Sequence, residues 1–150
     1  ARFVWVGDGP SRAALQAANP DFLFVGTQRG EALAEHFASA DVFLFPSLSE
    51  TFGNVTLEAM ASGLATVAFD YGAAREHLQG GVHGAAVDND ADFIAAAVKL
   101  ASDDGLRRSM GRSAHQAMQL LHPEQVAADF DGLLANLAHR EKAHASTAIA

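Results

Sequence analysis

Five short apolar runs alternate with helical stretches, and this alternation limits the fold more than any other feature of the chain. The runs are Phe3–Val6, Phe22–Val25, Val42–Phe45, Ala65–Phe69 and Gly84–Val87. Runs this short, bounded by turn residues, read as strands, and Val42–Phe45, apolar throughout, suits one covered on both faces. Pro10 or Ser11 opens a first helix with a small-residue face of Ala13, Ala14, Leu15, Ala17 and Ala18, and Asn19-Pro20-Asp21 ends it. Glu31–Ser39 reads as a second helix with Leu33, Phe37 and Ala40 on one side. Tyr71-Gly72-Ala73-Ala74 reads as a turn into a short helix ending at Leu78. Beyond Val87 the pattern is helical. Phe93, Ile94, Ala97, Val98 and Ala101 repeat at helical spacing, and Leu106–Leu121 forms a further helix. Pro123 suits the first turn of a last one, expected to bury Val126, Phe130, Leu133, Leu134 and Leu137. Periodicity fades near His139, so residues 139–150 are expected to fray. The expectation is an α/β domain over residues 1–138, a Rossmann-like parallel sheet with helices on both faces.

Ligands of such sheets bind outside the carboxyl ends of the strands. The loops there are Gly7–Ser11, Gly26–Gly30, Pro46–Phe52 and Asp70–Ala74. The third loop belongs to the densest stretch, Phe45 to Thr66, in which a strand, a polar loop, a helix and a strand follow one another. The helix starts near Gly53 or Asn54, and Gly63 stops it. The first amides of a helix lack internal partners and carry about half a positive charge, so they stabilise an anion such as phosphate. Gly53 has no Cβ to hold a ligand off the backbone. The amides of Thr51, Phe52, Gly53 and Asn54 are the expected donors.

Glu50 and Glu58 flank the same helix start. In a continuous helix, eight residues would separate them by about 12 Å, too far to share a proton. Ionised carboxylates only accept hydrogen bonds, and the paired hydroxyls of a ribose or hexose are suitable donors. Residue spacing alone leaves a plainer alternative open, with Glu58 a solvated helix residue and Glu50 an ordinary loop carboxylate.

Composition narrows the chemistry. A formal net charge of −8 disfavours nucleic acid as a partner, because phosphate backbones are bound by Lys and Arg. It also disfavours this chain as a contact for anionic membranes. Hydrophobic residues make up 49% of the 150, enough for a core, and no run approaches the ~20 residues of a membrane span. Cysteine is absent, which excludes disulfides and thiolate metal sites and fits a cytoplasmic location. The seven histidines lack metal-ligand spacing.

The stretch P-S-L-S-E-T-F-G-N-V-T-L-E-A-M-A-S-G-L resembles the Glu-x7-Glu region of the family 4 retaining glycosyltransferases. The likeness extends to V-G-D-G-P at Val6–Pro10, F-V-G at Phe24–Gly26, A-D-V-F-L-F-P-S at Ala40–Ser47, G-A-A-R-E at Gly72–Glu76 and G-G-V-H-G at Gly80–Gly84. These pieces follow the family's order from about Phe3 to Val87.

The resemblance implies the C-terminal, donor-binding half of a GT-B fold. It implies a transferase that moves a hexose from a nucleotide-diphospho-sugar with retention of configuration, without metal or cofactor. It assigns Glu58 to the ribose hydroxyls, with Leu57 against the ribose. Glu50 is assigned to the donor sugar, as the candidate catalytic residue. Thr51, Phe52, Gly53 and Asn54 are assigned to sugar and diphosphate, and Gly7, Gly9 and Gly26 to the neighbourhood of the base. The F-D-Y-G-A-A-R-E-H run is most similar to mannosyltransferase-type members, which points to GDP-mannose.

The family's pattern differs at Ala65, where proline is frequent, and at Ala73, where a second glycine stands. The family's donor domain also opens with a strand and an Arg/Lys pair that clamps the diphosphate, and neither is in this sequence. By family topology that strand lies between those at Phe3 and Val42. Two unpaired apolar edges and an N-terminally truncated domain, inactive alone, are therefore expected. The acceptor-binding domain would be the missing partner, and any contact with the inner membrane would run through it. Glu76 resembles the glutamate that ends the family's Gly-Gly-x-x-Glu stretch, which leaves a helix-start or loop-orienting role and donor contact both open, and Arg75 lies near the phosphate mouth in chain order. Arg75 reads as a surface arginine, with a partial phosphate clamp as the alternative. Two rival functions stay open: a GT-B-fold epimerase of a sugar nucleotide, and a non-catalytic nucleotide-sugar-binding module.

Overall fold

The computed structural model describes the backbone of residues 1–147, with side chains throughout except at residue 123 and residues 138–147. Among the described residues five strands and seven helices follow one another: β1 (Val4–Val6), α1 (Arg12–Ala18), β2 (Leu23–Gly26), α2 (Gly30–Ser39), β3 (Val42–Phe45), α3 (Asn54–Ala61), β4 (Ala65–Phe69), α4 (Gly72–His77), β5 (Gly84–Val87), α5 (Asp90–Ser102), α6 (Asp104–Gln119) and α7 (Pro123–Thr147). Contacts divide the chain into two compact units, Ala1–Gln116 and Ala117–Ala150.

The first unit holds all the strands, and every pairing is parallel. They form two separate sheets, β1-β2 and β3-β4-β5. Among the described residues β1, β2, β3 and β5 each have one strand neighbour, and β4 has two. On β1 the apolar side chains stay exposed, from Val6 at 38% to Val4 at 45%.

The three-stranded sheet shows why the apolar runs do not alternate with polar residues. Ala65 and Val67 point to one face and pack with Leu100 of α5 and Met110 of α6, beside Val42, Leu44 and Ala85. On the other face Phe43 meets Phe37 of α2 and Ala59 of α3. Both faces are covered, so both phases of each strand must be apolar. Gly84 pairs with Thr66, and a Cβ at Gly84 would lie 1.9 Å from the Thr66 carbonyl oxygen.

Three helical expectations are corrected. Helix α4 begins at Gly72, so Gly72–Ala74 is its first turn rather than a turn before it. Gly72 makes this possible at φ +52, a region that β-carbons disfavour. On α5 the buried side runs through Phe93, Ala96 and Leu100, while Ile94 and Val98 are exposed. Two apolar stripes lie side by side on that helix, and contact with the sheet selects the one headed by Phe93, which packs on Phe69 with ring centroids 5.3 Å apart. On α7 Val126, Phe130, Leu133, Leu134 and Leu137 are exposed rather than buried. The backbone of α7 stays helical past His139 as far as Thr147, and residues 148–150 of the expected frayed tail lie outside the described residues.

Candidate functional site

The helix start at the end of β3 is built around Gly53. It is the residue before α3, with φ +93 and ψ 44. An L-residue pays a steric penalty in this region, and glycine does not. Among the described residues, the amides of Thr51, Phe52, Gly53, Asn54 and Val55 have no hydrogen-bond partner. Thr56 is the first whose amide is satisfied, donating to the Gly53 carbonyl at 3.0 Å. The mouth of α3 is therefore an open row of donors, the arrangement that accepts an anion.

The far end of α3 is closed. The Leu64 amide donates to the Ala59 carbonyl at 3.1 Å and the Gly63 amide to the Met60 carbonyl at 2.9 Å. These are the paired bonds of a Schellman stop, with Gly63 at φ +79. Met60, Ala59 and Thr56 are buried, so one side of the helix is anchored, while Thr51, Phe52 and Asn54 at its start are exposed.

Glu50 is half-buried in the loop before Gly53, and Glu58 is exposed on α3. The Ser47 hydroxyl donates to Glu50 Oε1 at 2.8 Å and also approaches the Ser49 carbonyl at 3.2 Å. The loop after β4 reaches across to the same segment. Tyr71 Oη donates to the Glu50 carbonyl at 3.2 Å, and the Ala73 amide donates to the Phe52 carbonyl at 2.6 Å. A Cβ on Gly72 would sit 2.6 Å from that Phe52 oxygen, so the two loops touch backbone to backbone. The ring of Phe52 meets His77 edge-on at 6.2 Å.

Glu50, Thr51, Phe52, Gly53, Asn54, Leu57 and Glu58 thus lie on one continuous segment at the carboxyl end of β3. Gly7, Gly9 and Gly26 form a second group at the carboxyl ends of β1 and β2. The Gly7 amide donates to the Gly26 carbonyl at 2.8 Å. Asp8 accepts from the Gly9 amide and from Arg12, whose guanidinium covers Gly26 so closely that a Cβ there would lie 3.2 Å from it. Arg75 turns back onto Asp70, bonding its carbonyl and lying 3.5 Å from its carboxylate.

Sequence reasoning missed Ser47, Tyr71 and Ala73 as parts of this segment's support. Ser47 lies only three residues from Glu50, within reach along the loop. Tyr71 and Ala73 carried no local signal, being 21 residues from their partners. Among the described residues no group of three or more His, Cys, Asp or Glu is placed to hold a metal ion. No helix among them is long and apolar enough to cross a membrane.

Residues 1–103 match the model of a family described as glycosyl transferases group 1. The chain is similar to a GDP-mannose-dependent alpha-mannosyltransferase of Mycobacterium tuberculosis (strain CDC 1551 / Oshkosh), with 49% identity over 75 residues, which is 50% of this chain and 20% of that protein. Among solved structures it resembles sucrose-phosphate synthase from Thermosynechococcus elongatus, with a TM-score of 0.77 and 26% identity over 91% of this chain and 38% of that one. It also shares the fold of the pneumococcal O-GlcNAc transferase GtfA, solved in complex with UDP and GlcNAc, with a TM-score of 0.73 and 21% identity over 92% of this chain and 30% of that one. The chain therefore spans about a fifth of the length of the mannosyltransferase it matches.

Proposed function

The chain belongs to the family of glycosyl transferases group 1, and from that premise we propose that it is the donor-binding domain of a retaining hexosyltransferase. The observation that carries this reading is the mouth of α3. Five successive amides from Thr51 to Val55 have no partner among the described residues. They stand between a half-buried loop carboxylate, Glu50, and an exposed helix carboxylate, Glu58. Amides donate to a diphosphate and carboxylates accept from hydroxyls, so the segment matches both ends of a nucleotide-diphospho-sugar.

In this reading Glu58 accepts from the ribose hydroxyls, with Leu57 against the ribose ring. Glu50 accepts from the donor sugar. Thr51, Phe52, Gly53 and Asn54 donate to the diphosphate, and Gly7, Gly9 and Gly26 border the base. The mannosyltransferase relative favours GDP-mannose as donor. The domain extends over residues 1–138. In the whole protein it works opposite an acceptor-binding domain, and a strand entering between the open edges of β1 and β3 completes one sheet. The protein acts in the cytoplasm, and any membrane contact runs through the partner domain.

Calorimetric titration of the full-length protein containing this sequence tests the reading. GDP, UDP, GDP-mannose and UDP-glucose are the ligands, and Glu58→Ala is the variant. At least one nucleoside diphosphate should bind the parent and lose about tenfold or more in the variant, the loss expected when a charged acceptor leaves two hydroxyls unpaired. Equal affinity in parent and variant would falsify the role of Glu58.

A further inference from the structure

We propose that Ser47 and Tyr71 are positioning residues that set the Glu50 carboxylate before any donor arrives; this rests on the donor-sugar role of Glu50 given above. Glu50 lies in a loop, where a free glutamate side chain would sample many rotamers. Two bonds restrict it from opposite ends. The Ser47 hydroxyl donates to Oε1 at 2.8 Å, and Tyr71 Oη donates to the main-chain oxygen at 3.2 Å.

A serine hydroxyl has one proton to donate. Of its two acceptors the carboxylate is nearer, at 2.8 Å against 3.2 Å for the Ser49 carbonyl, and it is charged. Bonds to charged acceptors are the stronger kind. Oε1 is thus engaged by the protein, and Oε2 has no partner among the described residues. The carboxylate presents one oxygen in a fixed direction to the sugar hydroxyls.

Tyr71 acts on the backbone. It leads into α4 from the end of β4, so its hydroxyl ties the Glu50 peptide to a loop that β4 holds in the sheet. Next to it, the Ala73 amide grips the Phe52 carbonyl at 2.6 Å. Glu50 is therefore fixed by its own loop at the side chain and by the neighbouring loop at the main chain. Orientation of this kind reduces the entropy lost when a ligand group is bound.

The test uses the full-length protein containing this sequence and the same four ligands. Ser47→Ala should lower affinity for the sugar nucleotide by about tenfold and Tyr71→Phe by about threefold, as a charged and a neutral hydrogen bond predict. Affinity for the matching nucleoside diphosphate, which has no sugar, should be unchanged in Ser47→Ala. Ser47→Thr, which keeps the hydroxyl, should restore binding. In a Glu50→Ala background Ser47→Ala should not weaken binding further, because a residue that acts through the Glu50 carboxylate loses its effect with it. For Ser47→Ala, an equal loss for nucleotide and sugar nucleotide overturns the inference, as does an undiminished effect in the Glu50→Ala background. Unchanged binding by both variants, in a protein that binds the donor, overturns the inference alone. Failure of the parent to bind any of the four overturns the donor-domain reading and the inference with it.

Discussion

The Ala73 amide donates to the Phe52 carbonyl at 2.6 Å, so the first turn of α4 grips the loop that leads into α3. Two strand-end loops are joined by this bond, and the helix mouth between them has one set position. The contact is tight because Gly72 has no side chain. A Cβ there would stand 2.6 Å from the Phe52 oxygen.

Gly72→Ala should therefore damage the site in two ways. The methyl collides with backbone that cannot swing aside, and φ +52 is disfavoured for alanine. A loss of about 1–3 kcal/mol is the usual scale for such overpacking. Thermal unfolding should show the loss, and faster amide exchange should appear at residues 50–54. Unchanged exchange there would show that the α4 turn does not hold the loop.

Gly53→Ala separates conformation from crowding. A Cβ at Gly53 would meet Glu50 Cγ at 3.7 Å and the Ala73 methyl at 3.8 Å, which is ordinary contact. The whole cost is then the left-handed backbone, roughly 1–2 kcal/mol for an L-residue. Gly53→Asn should cost less than Gly53→Ala, since asparagine tolerates this region better. Urea midpoints for the two variants check the ranking, and the reverse order would contradict it.

Gly111→Ala should destabilise the chain although alanine is the better helix former. Propensity alone predicts a gain of about 1 kcal/mol. A Cβ at Gly111 would lie 2.1 Å from the Gly63 carbonyl oxygen, where α6 crosses the end of α3. Gly80→Ala is the control, with nothing within 4 Å, and should stay within about 0.5 kcal/mol. Chemical denaturation of both variants decides between packing and propensity by the sign of the change at Gly111.

Arg75→Ala should change nucleoside diphosphate affinity by no more than about twofold, since exposed ion pairs contribute little. Arg75 is already bonded to the Asp70 carbonyl, and its side chain is 64% exposed. Calorimetric titration with GDP and UDP measures the effect. A tenfold loss would instead make Arg75 the clamp of the diphosphate.

Local sequence was enough for the elements and for the two ends of α3. Residues of one period make one element, so the runs at Val42, Ala65 and Gly84 are strands with the expected bounds. Gly53 and Gly63 marked the two ends of α3 because each end needs a backbone conformation that glycine adopts without strain. Spacing placed Glu50 and Glu58 on either side of that helix start, and only the family resemblance gave them roles. The burial of helices was less legible. On α5 two apolar stripes were available, and only contact with Phe69 and the sheet face selects Phe93 and Leu100 over Ile94 and Val98. On α7 the apolar spacing suggested burial, and the side chains are exposed because spacing describes a face and not what covers it.

What the chain's own order determined is therefore the list of parts: parallel strands, the helix start at Gly53 and the two carboxylates beside it. What only the tertiary structure decided is how those parts are held. Tyr71 and Ala73 lie about twenty residues from Glu50 and Phe52, and no periodicity or turn signal links positions so far apart. They meet because β3 and β4 are adjacent and parallel, which brings the loops at their carboxyl ends to the same edge of the sheet. Hydrogen bonds act over about 3 Å of space whatever the separation along the chain, so the support of the site becomes visible only once the strands are paired.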